Sequence, residues 1–205
     1  MTHYTESELQ NELVTLIDDQ SKKLNDLASR LLTTAKLDRG NFQPVLRPTL
    51  CSSVVRSVLR GLDSPEASER IRVSASPGEE PALADAKLLA AAVTQLLDNA
   101  LKYSTPGSAI QVVCESSDAM ATVSVRSHGV VIPTLERERI FERFYRSQPS
   151  DDGPPGTGLG LSVVKRIVQA HQGRVWVESE AVRGTVFYLA LPRAPKNVAV
   201  AVSSD

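Results

Sequence analysis

Aromatic side chains are scarce in this 205-residue chain: four Phe, four Tyr and one Trp make up 4% of it. Its core must therefore come mostly from Leu, Val and Ala. Cysteine is nearly absent. Cys51 and Cys114 have neither metal-ligand spacing nor the number needed for a disulfide framework, so they read as buried, idle thiols of a reducing compartment. No apolar run approaches the ~20 residues of a membrane span, and the chain opens on polar and acidic residues rather than a signal peptide. A soluble, cytoplasmic chain is expected, attached to a membrane only if a longer parent carries an anchor upstream. A charge excess is lacking too: 23 basic residues face 24 acidic ones, for a net of -1. A general nucleic-acid binder needs a basic surplus to neutralise phosphates, so no nucleic-acid partner is expected. What remains is an ordinary globular composition, 41% hydrophobic, with length for one full domain and an appendage.

The appendage comes first. From Glu6 to about Leu37, the residues Leu13, Ile17, Gln20, Leu24, Leu27, Leu31 and Thr34 recur in steps of four and three. This is heptad spacing with a polar interruption at Gln20. No Pro or Gly intervenes before Gly40, a C-cap candidate. A helix of roughly 32 residues exceeds the globular average. Its narrow apolar seam suits a second helix, so a homodimer through this helix is expected. Pro44 and Pro48 follow, around an extended stretch, Phe42 to Leu46, read as linker becoming the first strand. Further expected elements are a helix over Leu50–Leu62, strands at Arg70–Ala75 and Leu83–Ala84, and a strong helix over Ala86–Tyr103. Strands at Ile110–Ser116 and Ala121–Arg126 come next, then one or two short helices within Leu135–Phe144. A Gly-, Pro- and Asp-rich loop spans Ser147–Gly158. A helix over Leu159–Gln172 and strands at Arg174–Glu180 and Thr185–Leu191 complete the order. Strands and helices mix without strict alternation, which points to an α+β, two-layer α/β sandwich with a mixed sheet. The expected division is a helical segment at 1–40, an α/β domain at 41–192 and a flexible tail at 193–205.

Two segments carry chemistry. Gly156-Thr157-Gly158-Leu159-Gly160-Leu161 opens a helix. Glycines there let backbone N–H groups approach a polyphosphate, and a helix N-terminus adds positive potential. A long loop rather than a strand precedes it, so it is not a dinucleotide fingerprint. No Lys-Ser/Thr pair follows, so it is not a Walker loop either. A ligand-free hinge would share its composition. The second segment is the helix end Gln95-Leu96-Leu97-Asp98-Asn99-Ala100-Leu101-Lys102-Tyr103. Asn99 sits among apolar residues, and its carboxamide offers one oxygen to a hard cation that takes its other ligands from water and phosphates. Lys102, three residues on, shares that helical side. Taken singly, Asn99 as a backbone cap and Lys102 as a solvated charge explain the residues equally well.

Together the segments resemble a known family. Gln95–Ser104 resembles the N box of sensor histidine kinases, and Ile140-Phe141-Glu142-Arg143-Phe144-Tyr145-Arg146 their F box. Gly156–Leu161 resembles the G2 box, and Arg183-Gly184-Thr185-Val186-Phe187 the G3 region, all in the family's order and spacing. The likeness covers roughly Leu50–Pro192 as a GHKL (Bergerat-fold) ATP-binding domain. Glu6–Gly40 is similar to the second helix of the dimerisation and phosphotransfer hairpin. The resemblance implies ATP and Mg²⁺ as cofactors, Mg²⁺ held at Asn99, and Lys102 and Tyr103 on the phosphate and sugar side. It implies an ATP lid over Ser147–Gly156 and a phosphate cradle of Gly156, Thr157, Gly158, Leu159 and Gly160. It places Thr185 near the adenine, with Phe141 and Phe144 at the lid base or simply in the core. It also implies a response regulator receiver domain as partner.

The chain departs from the family in two places. The G1 box, Asp-x-Gly-x-Gly, is matched by Ser127-His128-Gly129-Val130-Val131. Ser127 stands where the Asp accepts the adenine amino proton, and Gly129 matches the first glycine. A charge-assisted bond is worth roughly 1.5–3 kcal/mol, so its loss weakens ATP by about one to two decades. A serine bonding directly or through water would lose less. Val131 replaces the second glycine; a β-branched residue resists positive φ and adds bulk where backbone would approach the ligand, so weakened ATP binding is expected. The second departure is the phosphoacceptor. His3 lacks its helix, His128 lies in the adenine-side loop, and His171 ends the helix after the G2 box, where a surface His is expected. None fits, so the segment reads as beginning inside the hairpin and lacking the histidine it would phosphorylate.

The leading expectation is a histidine kinase catalytic domain that passes the γ-phosphate of ATP to a histidine elsewhere. A dimerising pseudokinase module without ATP binding is favoured by the G1 departures and opposed by the intact N and G2 boxes. A phosphotransfer protein would need an acceptor histidine on a hairpin helix. A free-standing GHKL serine kinase acting on an anti-anti-sigma partner is disfavoured by the hairpin helix.

Overall fold

The computed structural model describes residues 43–62, 64–147 and 157–195, with residues 10, 13–18, 20, 21, 24, 25, 28, 32 and 35. The chain divides into two compact units, Met1–Gly40 and Asn41–Asp205. In the first, the described residues are helical, and Leu13, Val14, Leu16, Ile17, Leu24 and Leu32 are exposed. The other residues of the continuous helix expected over 6–37, Leu27, Leu31 and Thr34 of its seam among them, lie outside the described residues.

The second unit orders its elements as β1 (Arg47–Thr49), α1 (Cys51–Arg60), α2 (Pro65–Arg70), β2 (Ile71–Ala75), β3 (Ala82–Ala84) and α3 (Ala86–Tyr103). Then come β4 (Ile110–Ser116), β5 (Met120–Ser127), 3₁₀ turns at Thr134–Glu136 and Arg139–Phe141, α4 (Gly160–Ala170), β6 (Arg174–Glu180) and β7 (Gly184–Pro192). A five-stranded sheet runs β2-β4-β5-β7-β6, and β1 pairs with β3 apart from it. The β2–β4 pair is parallel and the others antiparallel, so the sheet is mixed, as expected.

Strand periodicity decides which face is covered. The register aligns Val112 with Val125, Val125 with Phe187 and Phe187 with Val177, a row that is buried throughout. Against this face lie the apolar sides of α1 (Cys51, Val54, Val55), α3 (Leu89, Ala92, Val93, Leu96, Leu97) and α4 (Val163, Val164, Ile167, Val168). The opposite face carries the lone Trp176, stacked on its cross-strand neighbour Tyr188 at 4.7 Å and 6°. One sheet and one helical layer thus share an aliphatic core.

Several expectations shift. The first strand is Arg47–Thr49, not Phe42–Leu46, because pairing with β3 sets Arg47 opposite Ala84. Helix α2 was not expected. Ser64 caps it by accepting from the Ala67 N–H at 3.2 Å, and Pro65 opens it; Arg70 closes it, so β2 starts one residue late. The expected tail is anchored at its start. Arg193 N–H donates to the Ala119 carbonyl at 2.9 Å, Ala194 N–H to the Pro81 carbonyl at 2.8 Å, and Ala194 is buried; residues 196–205 lie outside the described residues. Both cysteines are buried and free, as expected. Burial first, and the Glu79 carboxylate second, push the Cys114 thiol up to about 12 against a smaller opposing pull from Arg56. Burial likewise raises Cys51, with Cys114 and Glu79 adding to it. Among the described residues, no helix is long and apolar enough to cross a membrane.

Leu96 has no exposed surface and sits one turn before Asn99. Leu96→Ala is expected to cost about 2–5 kcal/mol in urea unfolding; a loss under about 0.5 kcal/mol would contradict its place in the core.

Candidate functional site: the end of helix α3 and the loops stitched to it

Helix α3 begins at a strong cap. Asp85 Oδ1 accepts from the Lys87 and Leu88 N–H groups at 3.0 and 3.2 Å, satisfying amides that have no partner within the helix. Its apolar side faces the core, which sets Asn99, half-buried, beside Ala100 at the layer's edge. Lys102 is half-buried and extends its Nζ to 5.1 Å from the Tyr103 ring centre. Tyr103 is exposed.

The loop after β5 is sewn to this helix end. Thr105 N–H donates to the His128 carbonyl at 2.7 Å, and Val130 N–H to the Tyr103 carbonyl at 3.4 Å. Ser104 and Gly129 form an isolated bridge. A Cβ on Gly129 would collide with the Tyr103 carbonyl oxygen and lie 2.9 Å from Ser104 Cα. Only glycine fits there. Arg70, unforeseen from the sequence as a site residue, holds the other side. It donates from Nη2 to Ser104 Oγ at 2.6 Å and to the Thr105 carbonyl at 3.2 Å, and from Nε to the Ser108 carbonyl at 3.0 Å.

A directed chain of hydroxyls fixes the rest of that loop. Ile132 N–H donates to Ser179 Oγ at 2.9 Å, and Ser179 Oγ lies 2.6 Å from Thr185 Oγ1, which donates to the Val130 carbonyl at 3.2 Å. Since Thr185 spends its proton on Val130, Ser179 donates to Thr185. Both hydroxyls are buried. Thr185 therefore lies under this loop with its hydroxyl committed to the backbone, and Ser179 is a supporting residue that β-strand patterning concealed. Ser127, largely buried, ends β5 opposite Thr185.

Val131 corrects the expectation of backbone strain. Among the described residues the non-glycine positions with positive φ are Phe144 (64°) and Gln172 (58°). Val131 is not one of them, and 44% of it is exposed. The backbone takes a path open to a β-branched residue, so strain from a glycine-only conformation does not arise.

At α4, Gly158 has φ 68°, and a Cβ there would approach the Phe144 carbonyl carbon to 2.7 Å. Phe144 N–H donates to the Gly158 carbonyl at 3.0 Å. Thr157 is exposed, Leu159 is buried, and Gly160 is the first residue of α4. Gly156 lies outside the described residues, as does most of the expected lid. Ser147, where that loop begins, donates to the Glu136 carboxylate. The two F-box aromatics part company. Phe141 is buried edge-on to Phe187 at 6.3 Å, whereas Phe144 is 69% exposed and not a core residue. His171 is the reverse: expected at the surface, it is 1% exposed.

Asn99, Lys102 and Tyr103 thus end one helix, Ser127, Gly129 and Thr185 belong to the loop and strands tied to that end, and Thr157–Gly160 open a second helix packed on the first. Among the described residues, no cluster of three or more His, Cys, Asp or Glu could hold a metal unaided. A cation bound by the single Asn99 oxygen would need ligands from a bound phosphate and water, and this donor set fits a hard, hydrated ion such as Mg²⁺.

Gly129→Ala is expected to lower stability by about 1–3 kcal/mol through overpacking and to speed exchange of the Thr105 amide. Unchanged stability and exchange would contradict the close approach.

Known proteins resemble this chain in sequence and fold. The model of the histidine kinase-, DNA gyrase B-, and HSP90-like ATPase family matches residues 84–195. The chain is 34% identical over 175 residues to sensor protein IrlS of Burkholderia pseudomallei (strain K96243), covering 85% of this chain and 38% of that protein. It therefore spans well under half of that relative's length. The structure of full-length ShkA in complex with AMPPNP superposes with TM-score 0.77 at 27% identity, over 98% of this chain and 41% of the other. That of the mycobacterial sensor histidine kinase MprB gives 0.61 at 31% identity, over 74% and 99%. With motifs, fold and family model in agreement, this chain belongs to the histidine kinase-, DNA gyrase B-, and HSP90-like ATPase family.

Proposed function

We propose that this chain is the ATP-binding catalytic domain of a two-component sensor histidine kinase, which passes the γ-phosphate of ATP to a histidine carried outside the segment. The observation that carries the reading is the convergence of the N-box helix end, the loop at Gly129 and the opening of α4 around one edge of the helical layer. The solved relative with AMPPNP bound supports the nucleotide.

The chemistry asked of these residues is positioning and charge neutralisation. Asn99 would hold Mg²⁺ together with the phosphates, and the ion would supply charge neutralisation there. Lys102 meets a phosphate with its ammonium. The first amides of α4 face an anion with the helix's positive end. Tyr103 flanks the sugar side. The exposed leucines and isoleucine of the N-terminal unit support dimerisation through that segment. A receiver domain is the proposed recipient of the phosphoryl group, and the cytoplasm the proposed compartment.

The alternative, a pseudokinase that does not bind ATP, is favoured by one observation: a hydroxyl at Ser127 in place of a carboxylate. The relaxed backbone at Val131 removes only the backbone-strain argument for it. Calorimetric titration with ATP and a non-hydrolysable analogue separates the two. Micromolar, Mg²⁺-dependent binding that Asn99→Ala abolishes supports the kinase domain. Ser127→Asp is expected to tighten ATP by about one to two decades. No heat up to millimolar nucleotide from folded protein would overturn the reading and leave the pseudokinase.

A further inference from the structure

His171 closes α4, and its ring is enclosed. The Asp85 N–H donates to His171 Nε2 at 2.9 Å. A backbone N–H can only donate, so Nε2 accepts and the ring proton sits on Nδ1, which donates to the Ile167 carbonyl at 2.7 Å. Asp85 is the cap of α3 through Oδ1, and its Oδ2 accepts from the Val45 N–H at 3.1 Å. One buried imidazole therefore joins the C-cap of α4 to the N-cap of α3, and the same aspartate holds the segment at Val45.

Helices pinned start to end and packed side by side run antiparallel. At 1.5 Å per residue, Asn99 lies about 20 Å from the pin along α3, and the opening of α4 about 16 Å from it along α4. The ends of the two helices opposite the pin are thus the ends that carry the candidate site. A shift in angle or register at the pin changes the gap between Asn99 and Gly160.

We infer that His171 is a positioning residue: by bonding the Asp85 amide it sets the separation between the N-box end of α3 and the glycine-rich opening of α4. The gap itself is a property of the fold; that it receives a nucleotide rests on the function proposed above.

The test compares His171→Asn with His171→Gln. Asparagine keeps a donor at the Nδ1 position for Ile167 and leaves the Asp85 amide unbonded, whereas glutamine places an acceptor at the Nε2 position. Segment-resolved amide exchange is measured without nucleotide, well below each variant's melting transition. His171→Asn is expected to speed exchange about five- to tenfold over 99–104 and 158–161, far from the substitution, and His171→Gln to stay within about twofold of the parent, as loss and return of one hydrogen bond imply. Acceleration confined to 85–88 and 168–173, or equal at the distant segments in both variants, would overturn the inference. With nucleotide added, the same order should appear in affinity, weakened about three- to tenfold by asparagine and restored by glutamine. A parent that binds no nucleotide would overturn the proposed function, and the nucleotide-free exchange would still decide the pin.

Discussion

Gly129 lies so close to the Tyr103 carbonyl that no β-carbon fits between them, and the joining of the loop after β5 to the end of α3 depends on that contact. It lets the chain after β5 bond back onto the end of α3 through Thr105 and Val130. The loop it anchors is then held from below by Ser179 and Thr185. Buried polar groups are tolerable only when each has a partner, and this hydroxyl chain meets that condition link by link. The consequence is a rim beside the Asn99 end of α3 that is braced by backbone bonds, short hydroxyls and the Arg70 guanidinium.

Rigidity at the rim depends in turn on the layer beneath. Helix α3 is buried along Leu89, Val93, Leu96 and Leu97, between neighbours α1 and α4 and over β5. Its start is fixed by Asp85 and its end by the Gly129 bridge and Arg70. A helix fixed at both ends and along its length presents Asn99 and Lys102 at set positions. Electrostatic stabilisation of a polyphosphate requires this, since donors already in place cost no reorganisation. The Asn99 carboxamide, with no cluster of three or more metal-ligating side chains among the described residues, suits an ion that arrives with its phosphates.

What could be read from the sequence was what local pattern determines. The bounds of α3 and β4 are visible because Asp85 is a cap, the apolar residues recur at helical spacing, and Ile110–Ser116 alternates. Strand β1, three residues long, has no period to detect, and α2 hid in a polar stretch although Ser64 and Pro65 mark its start. The family resemblance points to a surface histidine at His171, and no local pattern reveals its partners, the Ile167 carbonyl and an amide 86 positions away. Val131 was misread through the resemblance too. The family motif supplied an expectation of glycine-only backbone, and the local path does not require it. Gly129 and Gly158 stand in motifs and have no room for a β-carbon, but Arg70 and Ser179, which brace the loops, act through contacts that no spacing rule encodes.

The central claim is that a nucleotide binds at this rim. Residue-resolved NMR shift perturbation with Mg²⁺ and a non-hydrolysable ATP analogue tests it most directly. The account predicts perturbed amides at 99–105, 127–132 and 157–161. Perturbation absent there, or confined to the open cavity of about 530 Å³ lined by Glu66, Arg70, Arg72 and Pro106, would contradict it.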